Sequence, residues 1–138
     1  MQLQPYLTFD RQCREAFERY RAVLGGELSL MTHGDSPMGT DAPAGWEDAI
    51  MHARLQVGDA VVMGSDAPPQ YFTQPGGFSV SIGVTDPAEA ERIFDGLAEG
   101  GNVRMPLQKT FWAERFGMLI DRFGIPWMVN CEAGKPGG

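Results

Sequence analysis

The chain opens on alternating hydrophobic and polar residues, a pattern typical of a strand with one buried face. Within residues 2–9, one side carries Leu3, Leu7 and Phe9, and the other carries Gln4, Tyr6 and Thr8. Pro5 has no N–H to donate, so we expect this strand at a sheet edge, or Pro5 at its margin. Asp10 then predicts a helix N-cap, and hydrophobic residues follow at helical spacing until Gly25-Gly26 ends the helix.

Three further strands are predicted at 27–33, 50–57 and 60–65, with a long loop over 34–45 before the second of them. Long loops in small domains often bind or cover ligands, so this loop is a candidate lid. From residue 78 the same order begins again. A strand at 78–84 precedes a helix that starts at Asp86-Pro87 and ends at Gly100-Gly101, and strands follow at 103–110, 117–121 and 125–131.

The two halves therefore repeat, and each contains a strand, a helix and three more strands. Met63 in the first half corresponds to Met128 in the second. We expect an α+β fold of two βαβββ modules in tandem, about 1–67 and about 76–132, within a single domain spanning residues 1–138. Since neither module buries its sheet alone, the two curved mixed sheets are expected to form a cleft, with the helices on the convex side.

Composition narrows the class of protein. The 138 residues are 43% hydrophobic and 21% charged, with a net charge of −7. This balance is typical of a globular domain and argues against a nucleic-acid or anionic-membrane partner. The start of the chain lacks the pattern of a signal peptide, and Cys13 and Cys131 form neither a disulfide framework nor a CxxC motif. We therefore expect a reduced, cytoplasmic protein.

Five stretches match a known family: PYLTFD at 5–10, AFERYRAVLGGE at 16–27, SDA at 65–67, TFWAERFG at 110–117 and DRFGIPWMVNCE at 121–132. With the βαβββ repeat, they make the chain resemble the PhnB-like branch of the vicinal oxygen chelate superfamily. That superfamily includes glyoxalase I, extradiol dioxygenases, and the bleomycin and fosfomycin resistance proteins. The resemblance implies a homodimer that binds a small organic ligand in its cleft.

The branch is sometimes labelled a demethylubiquinone methyltransferase. The sequence has no GxGxxG after a predicted strand, and we expect it to be too short for a nucleotide-binding domain plus a substrate site. This pattern does not favour a methyltransferase.

The resemblance also implies four metal-ligand positions, which fall at Gln4, Met63, Ser79 and Met128. A thioether is a poor ligand for Mg²⁺, Mn²⁺, Fe²⁺ or Zn²⁺, and a lone serine adds little. We therefore expect the usual metal site to be lost and the protein to use no metal or cofactor.

Strand periodicity places a set of residues on the predicted cleft side, mostly polar with two methionines and one tryptophan. The expected ligand-binding residues are Gln4, Tyr6, Thr8, His52, Met63, Ser65, Ser79, Ser81, Trp112 and Met128. Trp112 belongs to an aromatic group with Phe111, Phe116 and Trp127. That group is interpreted as core, as a dimer contact or as a stacking wall for a ligand.

Catalytic residues are unknown from the sequence, and His52 and Glu114 are the candidates. His52 is either an acid/base group of the pocket or a structural histidine, and Glu114 is either a reactive carboxylate or a surface residue. The first hypothesis is a protein that binds or sequesters a small molecule. The alternative is a metal-dependent lyase, isomerase or dioxygenase of the same superfamily.

Overall fold

The computed structural model describes residues 1–35 and 44–132, so most of the predicted 34–45 loop lies outside the described residues. The chain divides into two compact units, Met1–Thr73 and Gln74–Gly138. Within the residues that the structure describes, each unit holds one helix and one four-stranded sheet. No helix in the described ranges is long and apolar enough to cross a bilayer.

The first unit has the predicted order of strand, helix and three strands. Its elements are β1 (Tyr6–Phe9), α1 (Cys13–Leu24), β2 (Glu27–Thr32), β3 (Ile50–Val57) and β4 (Ala60–Asp66). The sheet order is β1-β4-β3-β2. β1 runs parallel to β4, and the other neighbouring strands are antiparallel.

The second unit repeats that topology. Its elements are β5 (Val80–Val84), α2 (Pro87–Ala98), β6 (Asn102–Gln108), β7 (Arg115–Ile120) and β8 (Pro126–Cys131). The sheet order is β5-β8-β7-β6, with β5 parallel to β8. The α+β class and the tandem βαβββ arrangement predicted from the sequence are confirmed.

Each helix packs on one face of its own sheet, and a glycine of the sheet marks the point of closest approach. A Cβ atom added at Gly64 on β4 would lie 2.7 Å from the ring of Phe17 on α1. A Cβ added at Gly117 on β7 would lie 2.6 Å from the ring of Phe94 on α2. Both phenylalanines are buried, so the core of each unit lies between its helix and this face of its sheet.

The two helices begin differently. Asp86 is the N-cap of α2 as predicted, and its carboxylate accepts a hydrogen bond from the Ala88 N–H at 3.1 Å. The prediction of Asp10 as the cap of α1 is wrong. Arg11 takes a left-handed conformation (φ 66°), so the helix starts later, at Cys13, and its N-cap residue Gln12 makes no side-chain hydrogen bond.

Several strand limits also differ from the predictions. β1 starts at Tyr6 because Pro5 has no N–H, although its carbonyl still accepts a hydrogen bond from Met63 N–H at 3.1 Å. Strict alternation along the predicted 50–57 strand places Met51 on the hydrophobic face with Ala53 and Leu55, but Met51 is 38% exposed. A β-bulge causes this, because the register shifts by one residue opposite Met31 and Thr32. Ile50 takes the buried place instead.

Candidate functional site

The sheet of the first unit has a face opposite α1, which we call the first open face. Side chains alternate along a strand, and Gly64 faces α1, so Met63 and Ser65 on either side of it lie on the first open face. Met63 therefore does not pack against Phe17 on α1. Met63 and Ser65 are half-buried.

A row of four paired residues crosses the first open face. Tyr6 on β1 pairs with Met63 on β4, Met63 pairs with Arg54 on β3, and Arg54 pairs with Ser29 on β2. Residues in register on neighbouring strands point to the same side of the sheet. The structure therefore brings together a phenol, a thioether, a guanidinium and a hydroxyl in one line.

His52 belongs to the same face. Its ring lies 6.0 Å from the ring of Tyr6, centroid to centroid, with 38° between the two planes. β4 separates the strands that carry these rings, so the two side chains meet above the sheet on the side that Met63 occupies. Thr8 and Ser65 also pair in register, one step along the strands, and both are half-buried.

Gln4 lies outside this row. It precedes β1, and its side-chain amide donates a 3.4 Å hydrogen bond to the Gln2 side chain. The predicted first strand included Gln4, but the ladder begins only after Pro5.

The second unit has a corresponding face opposite α2, which we call the second open face. Gly117 faces α2 and pairs with Val129, so Met128, next to Val129, lies on the second open face. Ser81 pairs with Met128, Met128 with Met118, and Met118 with Met105. Ser79 directly precedes β5, two residues before Ser81. The row on this face contains three thioethers, whereas the row on the first open face contains one thioether beside a phenol, a guanidinium and a hydroxyl.

The predicted aromatic group is only partly correct. Trp112 contacts Phe111 and Phe116 edge-on, with ring centroids 4.7 Å and 5.5 Å away, and it remains 52% exposed. Trp127 does not belong to this group. It is buried, and its indole N–H donates a 2.8 Å hydrogen bond to the carboxylate of Asp121. Trp127 is therefore a core residue whose polar atom is satisfied.

Glu114 has a cation beside it. Its carboxylate lies 3.4 Å from the guanidinium of Arg115, and Arg115 also approaches Glu91 at 3.5 Å. His52 belongs to the first unit and Glu114 to the second. Their roles as acid or base remain predictions.

The two cysteines are buried and free. Burial raises the pKa of both thiols, and the carboxylates of Asp66 and Glu114 raise it further for Cys13 and Cys131 respectively. A thiol whose pKa is raised stays protonated near neutral pH and is a weak nucleophile. Neither cysteine is suited to covalent chemistry.

The donor atoms at the four expected ligand positions determine which metal ions those positions suit. The four positions that the superfamily resemblance assigns to ligands hold an amide, two thioethers and a hydroxyl, at Gln4, Met63, Met128 and Ser79. Two thioethers do not suit Mg²⁺ or Mn²⁺, which prefer oxygen donors, and they do not suit Zn²⁺ or Fe²⁺, which imidazole and carboxylate groups usually bind. Within residues 1–35 and 44–132, no cluster of three or more His, Cys, Asp or Glu side chains is placed to hold a metal ion.

The sequence-based selection missed Arg54, Met105, Met118 and Asn130. Arg54 lies two residues from His52 on β3, so strand alternation places both side chains on the same face. That pattern was sufficient to include Arg54 among the expected ligand-binding residues. Met118 and Met105 become part of a row only once the pairing of three strands is known. Asn130 on β8 is two residues from Met128 and half-buried on the second open face.

Comparisons with known proteins agree with this architecture. A family model described as 3-demethylubiquinone-9 3-methyltransferase matches residues 1–130. The Escherichia coli K12 protein YjdN is 35% identical over 145 residues, which cover 99% of each chain. The crystal structure of PA1353 from Pseudomonas aeruginosa is 53% identical, covers 96% of this chain and 98% of its own, and superposes with a TM-score of 0.89.

Similarity of fold extends further. A PhnB protein from Bacillus cereus is 21% identical, with a TM-score of 0.77 over 95% of this chain and 99% of its own. FosX, the fosfomycin resistance protein of Listeria monocytogenes, is 6% identical, with a TM-score of 0.66 over 97% of this chain and 94% of its own. A FosX mutant was crystallised with Mn(II) and a dihydroxypropylphosphonic acid. The chain thus belongs to the family described as 3-demethylubiquinone-9 3-methyltransferase, and its fold is similar to that of the PhnB protein and of FosX.

Proposed function

We propose that this protein binds a small organic molecule on the first open face and does so without the metal ion of its superfamily. The observation that carries the proposal is the meeting of Tyr6 and His52, whose rings lie 6.0 Å apart on the face that also holds Met63. Ligand sites combine apolar and aromatic surface with a few polar groups, and this face has that mixture.

The metal-dependent alternative is a lyase, isomerase or dioxygenase. FosX supports it by analogy, since a FosX mutant was crystallised with Mn(II) and a phosphonic acid. In this chain, Met63 and Met128 stand where the resemblance places ligands, and thioethers bind manganese poorly. We therefore favour binding, or sequestration, over metal-assisted catalysis.

We also propose that the protein is a cytoplasmic homodimer with no nucleic acid or membrane partner. Phe111 is 96% exposed and Phe78 is 51% exposed, and a second copy of the chain would shield such surface from water. Both cysteines are free, as expected for a protein in a reducing compartment. The net charge of −7 disfavours contact with phosphate backbones and anionic lipids.

The binding proposal is tested by a thermal-shift screen of small metabolites, run in the presence and absence of EDTA. The proposal expects at least one compound to raise the melting temperature equally under both conditions, because ligand binding stabilises the native state. Stabilisation that EDTA abolishes and Mn²⁺ restores would favour the metal-dependent alternative.

The location of the site is tested with Met63→Glu. A charge at the centre of the row is expected to abolish the ligand-induced shift while leaving the melting temperature of the free protein almost unchanged. The control is Val103→Glu, which adds the same charge at a site that is 44% exposed in the second unit. An equal loss of binding in both variants would contradict the proposed site.

A further inference from the structure

The first open face carries the guanidinium of Arg54, which has no carboxylate partner among residues 1–35 and 44–132. Arg54 is exposed, and none of the carboxylates in the described ranges forms an ion pair with it. The nearest acidic residue by register on this face is Glu27, which lies opposite Gln56 and makes no ion pair with Arg54. With no ion pair to a described carboxylate, Arg54 presents a positive charge on a candidate binding face of a protein whose net charge is −7.

A hydrogen bond to Gln56 orients the Arg54 guanidinium. Arg54 Nη1 donates a 3.0 Å hydrogen bond to the Gln56 side-chain oxygen, and the Gln56 amide nitrogen donates a 3.2 Å hydrogen bond to the Gly58 carbonyl. Because the Gln56 amide nitrogen bonds to Gly58, the amide oxygen is the atom that faces Arg54. Arginine has five N–H donors in a planar fork, so this contact holds the group while leaving donors free.

The residues beside Arg54 on this face add polar, apolar and aromatic groups. Ser29 pairs with Arg54 on its outer side, and Met63 pairs with it on its inner side, followed by Tyr6. Neighbouring strands are about 4.8 Å apart, so about 10 Å separates the backbones of Tyr6 and Arg54. That span matches a molecule with a charged group at one end and a flat, apolar body at the other.

We propose that Arg54 binds the oxyanion group of a small ligand whose apolar or aromatic body lies over Met63, beside the Tyr6 and His52 rings. A carboxylate presents two oxygens in the geometry that a guanidinium fork matches, and the same fork accepts two oxygens of a phosphate or phosphonate. This inference rests on the proposed binding function and adds the chemical class of the ligand.

The test uses three probes with one shared ring system: 2-naphthoate, the neutral 2-naphthamide and the cationic 2-naphthylmethylammonium. Isothermal titration is expected to give a dissociation constant for 2-naphthoate at least about tenfold lower than for 2-naphthamide, since a charge-assisted hydrogen bond is worth about 1.5 kcal/mol or more. The cation is expected to bind most weakly. Phenylphosphonate against benzoate then distinguishes a phosphonate ligand from a carboxylate ligand.

Arg54→Gln is expected to remove the preference for 2-naphthoate over 2-naphthamide, while Arg54→Lys keeps part of it. The matched control is Arg104→Gln, which removes the same charge from an exposed position on β6 and leaves the preference intact. Equal binding of the three probes to the unmodified protein, or an unchanged preference in Arg54→Gln, overturns the inference while the binding function stands. Failure of all three probes to bind also overturns the inference, and the thermal-shift screen of metabolites tests the binding function separately.

Discussion

The carboxylate of Asp66, at the end of β4, accepts a 3.0 Å hydrogen bond from the backbone N–H of Cys13, the first residue of α1. Its second oxygen accepts a 2.9 Å hydrogen bond from the Ile50 N–H at the start of β3. Asp66 is only 7% exposed. A single buried side chain therefore joins the start of the helix to two strands, and it takes the capping role that the sequence pattern assigned to Asp10.

Replacing Asp66 by alanine is expected to lower the free energy of unfolding by about 2–4 kcal/mol, because two buried N–H groups lose a charged acceptor. The measurement is urea unfolding followed by circular dichroism. Asp10→Ala is the control and is expected to change stability by less than about 0.5 kcal/mol, since Asp10 is exposed and makes no capping contact. A larger cost for Asp10→Ala than for Asp66→Ala would contradict the assignment of the cap.

Gly64 is expected to tolerate no side chain. An added Cβ would lie 2.7 Å from both the Leu7 carbonyl oxygen and the Phe17 ring, so Gly64→Ala must displace α1 or β1. We expect a cost of about 1–3 kcal/mol, the range for overpacking a core. The matched control is Gly83→Ala on β5, where an added Cβ meets nothing within 4 Å. If the two variants unfold at the same urea concentration, the assignment of Met63 to the open face loses its support.

The sequence predicted the fold well because hydrophobic alternation, helix spacing and paired glycines all repeat between the halves. It predicted Met63 and Met128 as equivalent residues, and the pairing of Met63 with Tyr6 and of Met128 with Ser81 agrees with that. The hydrophobic alternation, the helix spacing and the paired glycines each depend on residues close together in the chain, so they can be recognised without knowledge of the fold.

Features that depend on contacts between distant residues were missed. Asp66 is 53 residues from Cys13, and nothing in the sequence around Asp10 indicates that another carboxylate caps the helix. The bulge in β3 arises from pairing with β2, so it moved Met51 out of its predicted place without any local signal. The sequence left Trp127 open between core, dimer contact and ligand wall, and only its burial and its hydrogen bond to Asp121 assign it to the core.

The proposed homodimer predicts a particle of about twice the chain mass of 15.1 kDa in solution. Multi-angle light scattering after size exclusion at micromolar concentration measures this directly. The exposed rings of Phe111 and Tyr71 give a physical reason for association, because burying them removes apolar surface from water. A particle of single chain mass throughout a dilution series would contradict the prediction.

The most direct test of the binding face is the NMR spectrum of the protein labelled with ¹³C at the methionine methyl groups, recorded during titration with 2-naphthoate. The chain has eight methionines, so the spectrum is simple enough to assign by substitution. The account predicts a saturable shift of the Met63 methyl, caused by the ring current of the bound naphthyl group, and no shift of the fully exposed Met1. A saturable shift that leaves Met63 unmoved would contradict it.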